Sequence, residues 1–82
     1  MENQVDELCG VIHKVLLELS NGKTLSEPIS AESKMGSPSE WDSLGFVSVF
    51  LAVTQHFKLD VDDDDAIHFT SVPSILEFIQ DY

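Results

Sequence analysis

Apolar residues recur at three- and four-residue spacing in several stretches of the chain, and polar residues fill the positions between them. Near the N-terminus Val5, Leu8, Ile12, Val15 and Leu19 fall on one helix face, while Glu2, Asp6, Glu7, His13, Lys14 and Glu18 lie largely off it. Asn21 and Gly22 stop this helix, because both tolerate the left-handed backbone of a helix end. From Ser43 to Phe57 the inward face is Phe46, Val49, Phe50, Val53 and Phe57, and Leu44, Val47, Ser48, Leu51, Thr54 and Gln55 point elsewhere. Val47, Val49 and Val53 would also suit a strand, but alternation fails here and helical spacing holds. A short helix is expected from Asp62 to Phe69, its first turn crowded with acids that a helix dipole favours. In the last helix Val72, Ile75, Leu76 and Ile79 face inward. Thr70 or Ser71 can cap it, and Pro73 sits in its first turn, where a missing N–H costs little.

Residues 22–40 show no period and carry Gly22, Pro28, Gly36, Pro38 and many serines. A loop this long in so small a chain needs anchors, and Leu25, Ile29 and Met35 are the candidates. Helix, long loop, helix, short helix, helix predicts an all-α fold. It is a small four-helix bundle with three longer helices and one short one, in a single domain over residues 1–82.

At 82 residues the chain is near the lower limit for a self-supporting core, which leaves little to spare for an elaborate pocket. An apolar fraction of 43% is ordinary for a globular protein. Its one cysteine, Cys9, allows no internal disulfide and no zinc cluster, and it is expected to serve as a small buried hydrophobe. No stretch approaches the roughly 18 apolar residues of a membrane span, and the first residues lack a basic leader segment, so the expected address is the cytoplasm.

Charge changes the picture more. Fifteen acids face four lysines and no arginine, for a formal net charge of −11. That field repels nucleic acid and anionic membrane and steers the chain toward basic protein surfaces, unless it serves solubility alone.

The chemistry concentrates in Trp41-Asp42-Ser43-Leu44-Gly45, at the mouth of the second long helix. A helix N-terminus stabilises a phosphate through its free N–H groups and dipole. Ser43 opens the helix. With Asp42 as the cap, the serine hydroxyl is left free to be modified; with Ser43 as the cap, it is occupied. Trp41 is expected to pack the loop against the bundle. Gly45 would allow close approach of the backbone to an attached group or a partner.

This segment resembles the Asp-Ser-Leu motif of acyl and peptidyl carrier proteins, and the resemblance extends over nearly the whole chain. Phe57, Val61, the acidic run, Phe69-Thr70 and Val72, Leu76 and Ile79 fall where that family places its core. The resemblance implies a 4′-phosphopantetheine arm on Ser43, flanked by Asp42 and Leu44. The arm is installed from coenzyme A by a phosphopantetheinyl transferase, and acyl groups ride on it as thioesters. It further implies a monomer with no enzymatic activity of its own, serving acyl-loading and acyl-processing enzymes. The family's docking helix is usually acidic. Here no Asp or Glu occurs from Leu44 to Leu59, and the exposed side offers Leu44, Val47, Ser48, Leu51, Thr54, Gln55 and Lys58, so an apolar docking face is expected. A dedicated biosynthetic pathway suits such a carrier better than general fatty-acid synthesis. The competing class is a small acidic interaction module that docks through the same helix without modification.

Two other signals carry less. An EF-hand loop beginning at Asp60 would need glycine at its sixth position and glutamate at its twelfth, and Asp65 and Ser71 stand there, so a solvated acidic helix start is the default and loose cation binding the alternative. His13, His56 and His68 fall on three different helices with no shared spacing. His56 and His68 are the two that could approach the acidic run.

Overall fold

A computed structural model describes residues 4–22 and 24–81. Among the described residues the chain forms α1 (Gln4–Leu19), α2 (Ser43–His56), a short 3-10 helix (Asp63–His68) and α3 (Val72–Asp81). The all-α order read from the sequence holds. Glu2 lies outside the described residues.

The N-terminal helix ends as Asn21 and Gly22 dictate. Both have positive φ, 61° and 80°, and the Gly22 N–H reaches back to the Leu17 carbonyl at 2.9 Å while Asn21 bonds Glu18. The buried line of α1 is Leu8, Ile12 and Leu16. Leu19 was expected inward but is 40% exposed, because it stands on the last turn, beside the start of α2, where its neighbours are Ser20 and Leu44. Helix α2 is one residue shorter than expected, with Phe57 as its C-terminal cap. It buries Val49 and Val53 completely and half-buries Phe46, Phe50 and Phe57. α1 and α2 run antiparallel: Leu16 meets Gly45 at one end, and Glu7 meets His56 at the other.

The acidic segment winds as a 3-10 helix one residue inside each end of the expected span. The Asp62 N–H donates to the Asp65 carboxylate at 3.2 Å. In α3, Ser71 is the cap, its hydroxyl accepting from the Ser74 N–H at 3.2 Å. Val72 and Ile75 are buried, and Leu76 and Ile79 are half-buried against the core.

Leu25, Ile29 and Met35 pin the long loop as expected, Leu25 buried and the other two packed against the core. Trp41 is the largest fully buried side chain, and it ties the loop's end to the bundle. Backbone bonds fix the rest: Met35 N–H to the Thr70 carbonyl, Val72 N–H to Ser33, and Gly36 N–H to Trp41, each 2.9 Å. The Glu40 carboxylate reaches back to Ser26, accepting from its hydroxyl at 2.9 Å and its N–H at 3.1 and 3.2 Å. Under α2 and α3 the aromatic core is continuous, with Phe69 edge-on to Phe50 at 4.9 Å and to Phe78 at 5.4 Å.

Candidate functional site

The site is the first turn of α2. Asp42 is extended (φ −103°, ψ −162°), and its Oδ1 accepts from the Gly45 N–H at 3.0 Å, while its carbonyl accepts from Phe46 at 2.7 Å. Asp42 is therefore the cap, and Ser43 is the first helical residue. Its side chain is exposed, and among the described residues none bonds to its hydroxyl. The N–H groups of Ser43 and Leu44 lead the helix, and among the described residues no backbone carbonyl accepts them. An exposed hydroxyl, leading N–H groups and a helix dipole converge at one point.

Several features hold that point still. Buried Trp41 precedes it, and the Glu40–Ser26 bonds lie one residue earlier. Gly45 follows, and its role differs from the expected one. A β-carbon there would stand 2.8 Å from the Glu40 carbonyl oxygen and 3.0 Å from Leu16 Cδ2. The close approach that needs glycine is thus internal: α2 lies against its own loop and against α1.

Along α2, Leu44 is 66% exposed, Val47 49% and Leu51 50%. These three form the uncharged face the sequence indicated. Ser48 and Thr54 are half-buried, and the Thr54 hydroxyl donates back to the Phe50 and Leu51 carbonyls at 2.9 and 3.0 Å, so it offers a partner little more than its methyl group. Gln55 is exposed and also lines the shallow groove between α1 and α2.

The histidines are dispersed. His56 meets Glu7 on α1 at 2.7 Å rather than the acidic run, and His68 stacks on Phe78 with ring centres 5.2 Å apart. Cys9 is half-buried against the core, and burial, with Asp6 adding to it, pushes its thiol up, which makes it a poor nucleophile. Among the described residues no three His, Cys, Asp or Glu side chains converge as metal ligands, and no helix is long and apolar enough to cross a membrane.

The structure brings Asp42, Ser43 and Leu44 together in one turn, and beside that turn it places Leu16 and Glu40, which the sequence did not mark as its neighbours. A weak signal existed for Leu16: Leu8, Ile12 and Leu16 repeat every four residues, as good a stripe as the one through Val15. Nothing local in the sequence marks Glu40 as the partner of Ser26, fourteen positions away.

The chain is similar to curated proteins named acyl carrier protein. It is 31% identical over 58 residues to one from Buchnera aphidicola subsp. Baizongia pistaciae, covering 71% of this chain and 74% of the relative. It is 26% identical over 80 residues to one from Rickettsia bellii, covering 98% of this chain and 91% of the relative. No family model matches the chain, and no solved structure matches it significantly. These matches cover most of the chain, the all-α helix order is consistent with them, and the chain belongs to the acyl carrier protein family.

Proposed function

We propose that Ser43 is the attachment point of a 4′-phosphopantetheine arm and that the chain presents acyl groups to the enzymes of a dedicated biosynthetic pathway. One observation carries the proposal. Asp42 takes the capping role, so the hydroxyl at the mouth of α2 is exposed and uncommitted. The residues suit the group. A phosphodiester on Ser43 Oγ would carry its negative charge beside the leading N–H groups of a fourteen-residue helix, where the dipole stabilises an anion. In the attaching step the Ser43 oxygen forms a bond to a phosphorus of coenzyme A. The pyrophosphate P–O bond breaks, adenosine 3′,5′-bisphosphate leaves, and the hydroxyl proton passes to a base of the transferase or to water. When bound, the arm supplies a terminal thiol that carries acyl groups as thioesters. Ser43 and the first turn of α2 hold the arm's root at a fixed place on the surface, and Leu44, Val47 and Leu51 give partner enzymes an apolar face close to it. The chain is the carrier; the chemistry on the cargo belongs to partners, and the cytoplasm is the proposed place of work.

Incubation with a phosphopantetheinyl transferase and coenzyme A, read by intact mass, tests this. The expected result is one added phosphopantetheinyl group on the wild type and none on Ser43→Ala, with the two circular dichroism spectra alike. No mass gain on the wild type would favour an unmodified interaction module, and a modified Ser43→Ala chain would move the site elsewhere, for example to Ser39 or Ser48.

A further inference from the structure

Gly10 and Gly45 both stand inside helices, and the fold explains only the second. A β-carbon on Gly45 would strike Glu40 and Leu16, whereas one on Gly10 would meet nothing within 4 Å. Nor does Gly10 have a positive φ that would require glycine. Glycine at this place weakens the middle of α1 relative to alanine, with no return inside the chain. Its bare backbone is exposed and lines the groove of about 650 Å³ between α1 and α2, where Val11, Val15 and Ala52 are half-buried. A missing side chain on such a surface lets a second helix come close.

The charges beside Gly10 indicate which helix. Asp6 lies four residues before it and Lys14 four residues after it, so all three share one face of α1, and all three are exposed. Among the described residues Lys14 makes no ion pair. It precedes Glu18 by four positions, the weaker of the two orders for a helical pair. Two copies of α1 crossing antiparallel at Gly10 set each residue against the one equally far from Gly10 on the other side. Lys14 of each copy then meets Asp6 of the other, and glycine meets glycine at the centre. The face is self-complementary, as a two-fold symmetric contact requires.

We propose that the exposed face of α1 around Gly10 is a self-association surface, on which a second copy of this chain packs its own α1, antiparallel, into the groove. The pairing departs from the monomer that the family resemblance implies, and it is independent of any modification of Ser43. Leu44, Val47 and Leu51 do not line the groove, so that face of α2 stays open in both copies. The net charge of −11 on each copy opposes association at long range. Salt at about 0.15 M screens that repulsion beyond about 8 Å, while the Lys14–Asp6 pairs act at contact.

Sedimentation velocity of the full chain at about 0.15 M sodium chloride, over a concentration series reaching about 1 mM, tests the pairing. The wild type is expected to move from monomer to dimer along the series. Lys14→Glu and Asp6→Lys each set like charges together on both sides of the crossing and should weaken the dimer by about tenfold or more. Asp6→Lys is the sharper of the two, because it lowers the net negative charge and would strengthen association if total charge governed it. An equimolar mixture of the two variants has the total charge of the wild type and restores both opposite-charge pairs, so it should associate as the wild type does. Gly10→Gln introduces a good helix former that has nothing to strike in its own chain, so it should keep the helical circular dichroism spectrum while weakening the dimer. Circular dichroism is recorded for every variant, and Gly10→Gln carries the test if a charge variant loses its helix. A wild type that stays monomeric to the top of the series overturns the proposal. So does a dimer that all three variants leave unchanged, which would place the contact elsewhere. A mixture no better than the single variants also overturns it, since association would then not depend on the Lys14–Asp6 pairs.

Discussion

Gly45 lies so close to Glu40 that a β-carbon on the glycine would stand 2.8 Å from the Glu40 carbonyl oxygen. The contact joins the end of the long loop to the first turn of α2, two residues after Ser43. Gly45→Ala sets two effects against each other. Alanine is the better helix former by about 1 kcal/mol. The methyl group must displace a backbone carbonyl and Leu16 Cδ2 at 3.0 Å, and overpacking of that kind costs about 1–3 kcal/mol. Backbone yields less readily than a flexible side-chain tip, so net destabilisation is expected. Urea denaturation at constant m-value measures it. A gain in stability would show that the loop gives way freely.

The division of roles between Asp42 and Ser43 predicts unequal losses at adjacent positions. Asp42→Ala removes the bond to the Gly45 N–H and should cost about 1 kcal/mol, within the 0.5–2 kcal/mol usual for a lost cap. Ser43→Ala removes an exposed hydroxyl and should change stability by less than about 0.5 kcal/mol. Equal losses at the two positions, or a larger one at Ser43, would return the cap to the serine.

How far the sequence foretold this arrangement depends on the range of the interactions. Helix spans, the cap at Asp42, the stop at Asn21-Gly22 and the exposed Leu44, Val47 and Leu51 all follow from spacing or from the residue type at one position, and they were legible. Leu19 misled because periodicity fixes a direction around the helix axis and not whether the partner helix extends far enough to cover it. Gly45 misled for a similar reason: the residue signals that something comes close but not what, and here it is Glu40 and Leu16. Glu40–Ser26 and His56–Glu7 join positions fourteen and forty-nine residues apart, and no local pattern carries such pairings.

Glu40 should make part of the fold's stability depend on pH. The Ser26 hydroxyl foremost, with backbone N–H groups of Glu40 and Ser26, holds the Glu40 carboxyl below the usual glutamate range. A carboxyl depressed in the folded state contributes stability above its unfolded pKa, and that contribution is lost as pH falls through the folded pKa. Ser26→Ala should therefore be less stable than wild type at neutral pH, and the gap should narrow on acidification below the ordinary glutamate range. Paired melts at neutral and strongly acidic pH measure it. A gap that is constant across the range would mean that the Ser26 hydroxyl contributes independently of the ionisation of Glu40, and no gap at all would mean that Ser26 acts through its backbone alone.

Charge repulsion should limit the stability of the free protein. Fifteen carboxylates face four lysines, and five of the acids, Asp60 and Asp62 to Asp65, lie within six residues. Asp62, Asp63 and Asp64 are exposed, so each interaction is individually weak, but all have the same sign, and folding brings them closer than the unfolded chain does. Added salt shortens the reach of that repulsion to about 10 Å at 0.1 M. Tm is thus expected to rise with sodium chloride through the range where screening changes most, and the rise should be smaller in a variant carrying Asp63→Asn and Asp64→Asn, which removes two of the charges. Those two positions suit the test because the Asp62–Asp65 bond that starts the 3-10 helix is left in place. Helical circular dichroism melts of both proteins across a salt series decide it. A flat response in the wild type would show that the acids are far enough apart in the folded state not to oppose it, and an equal rise in both proteins would place the repulsion elsewhere on the surface.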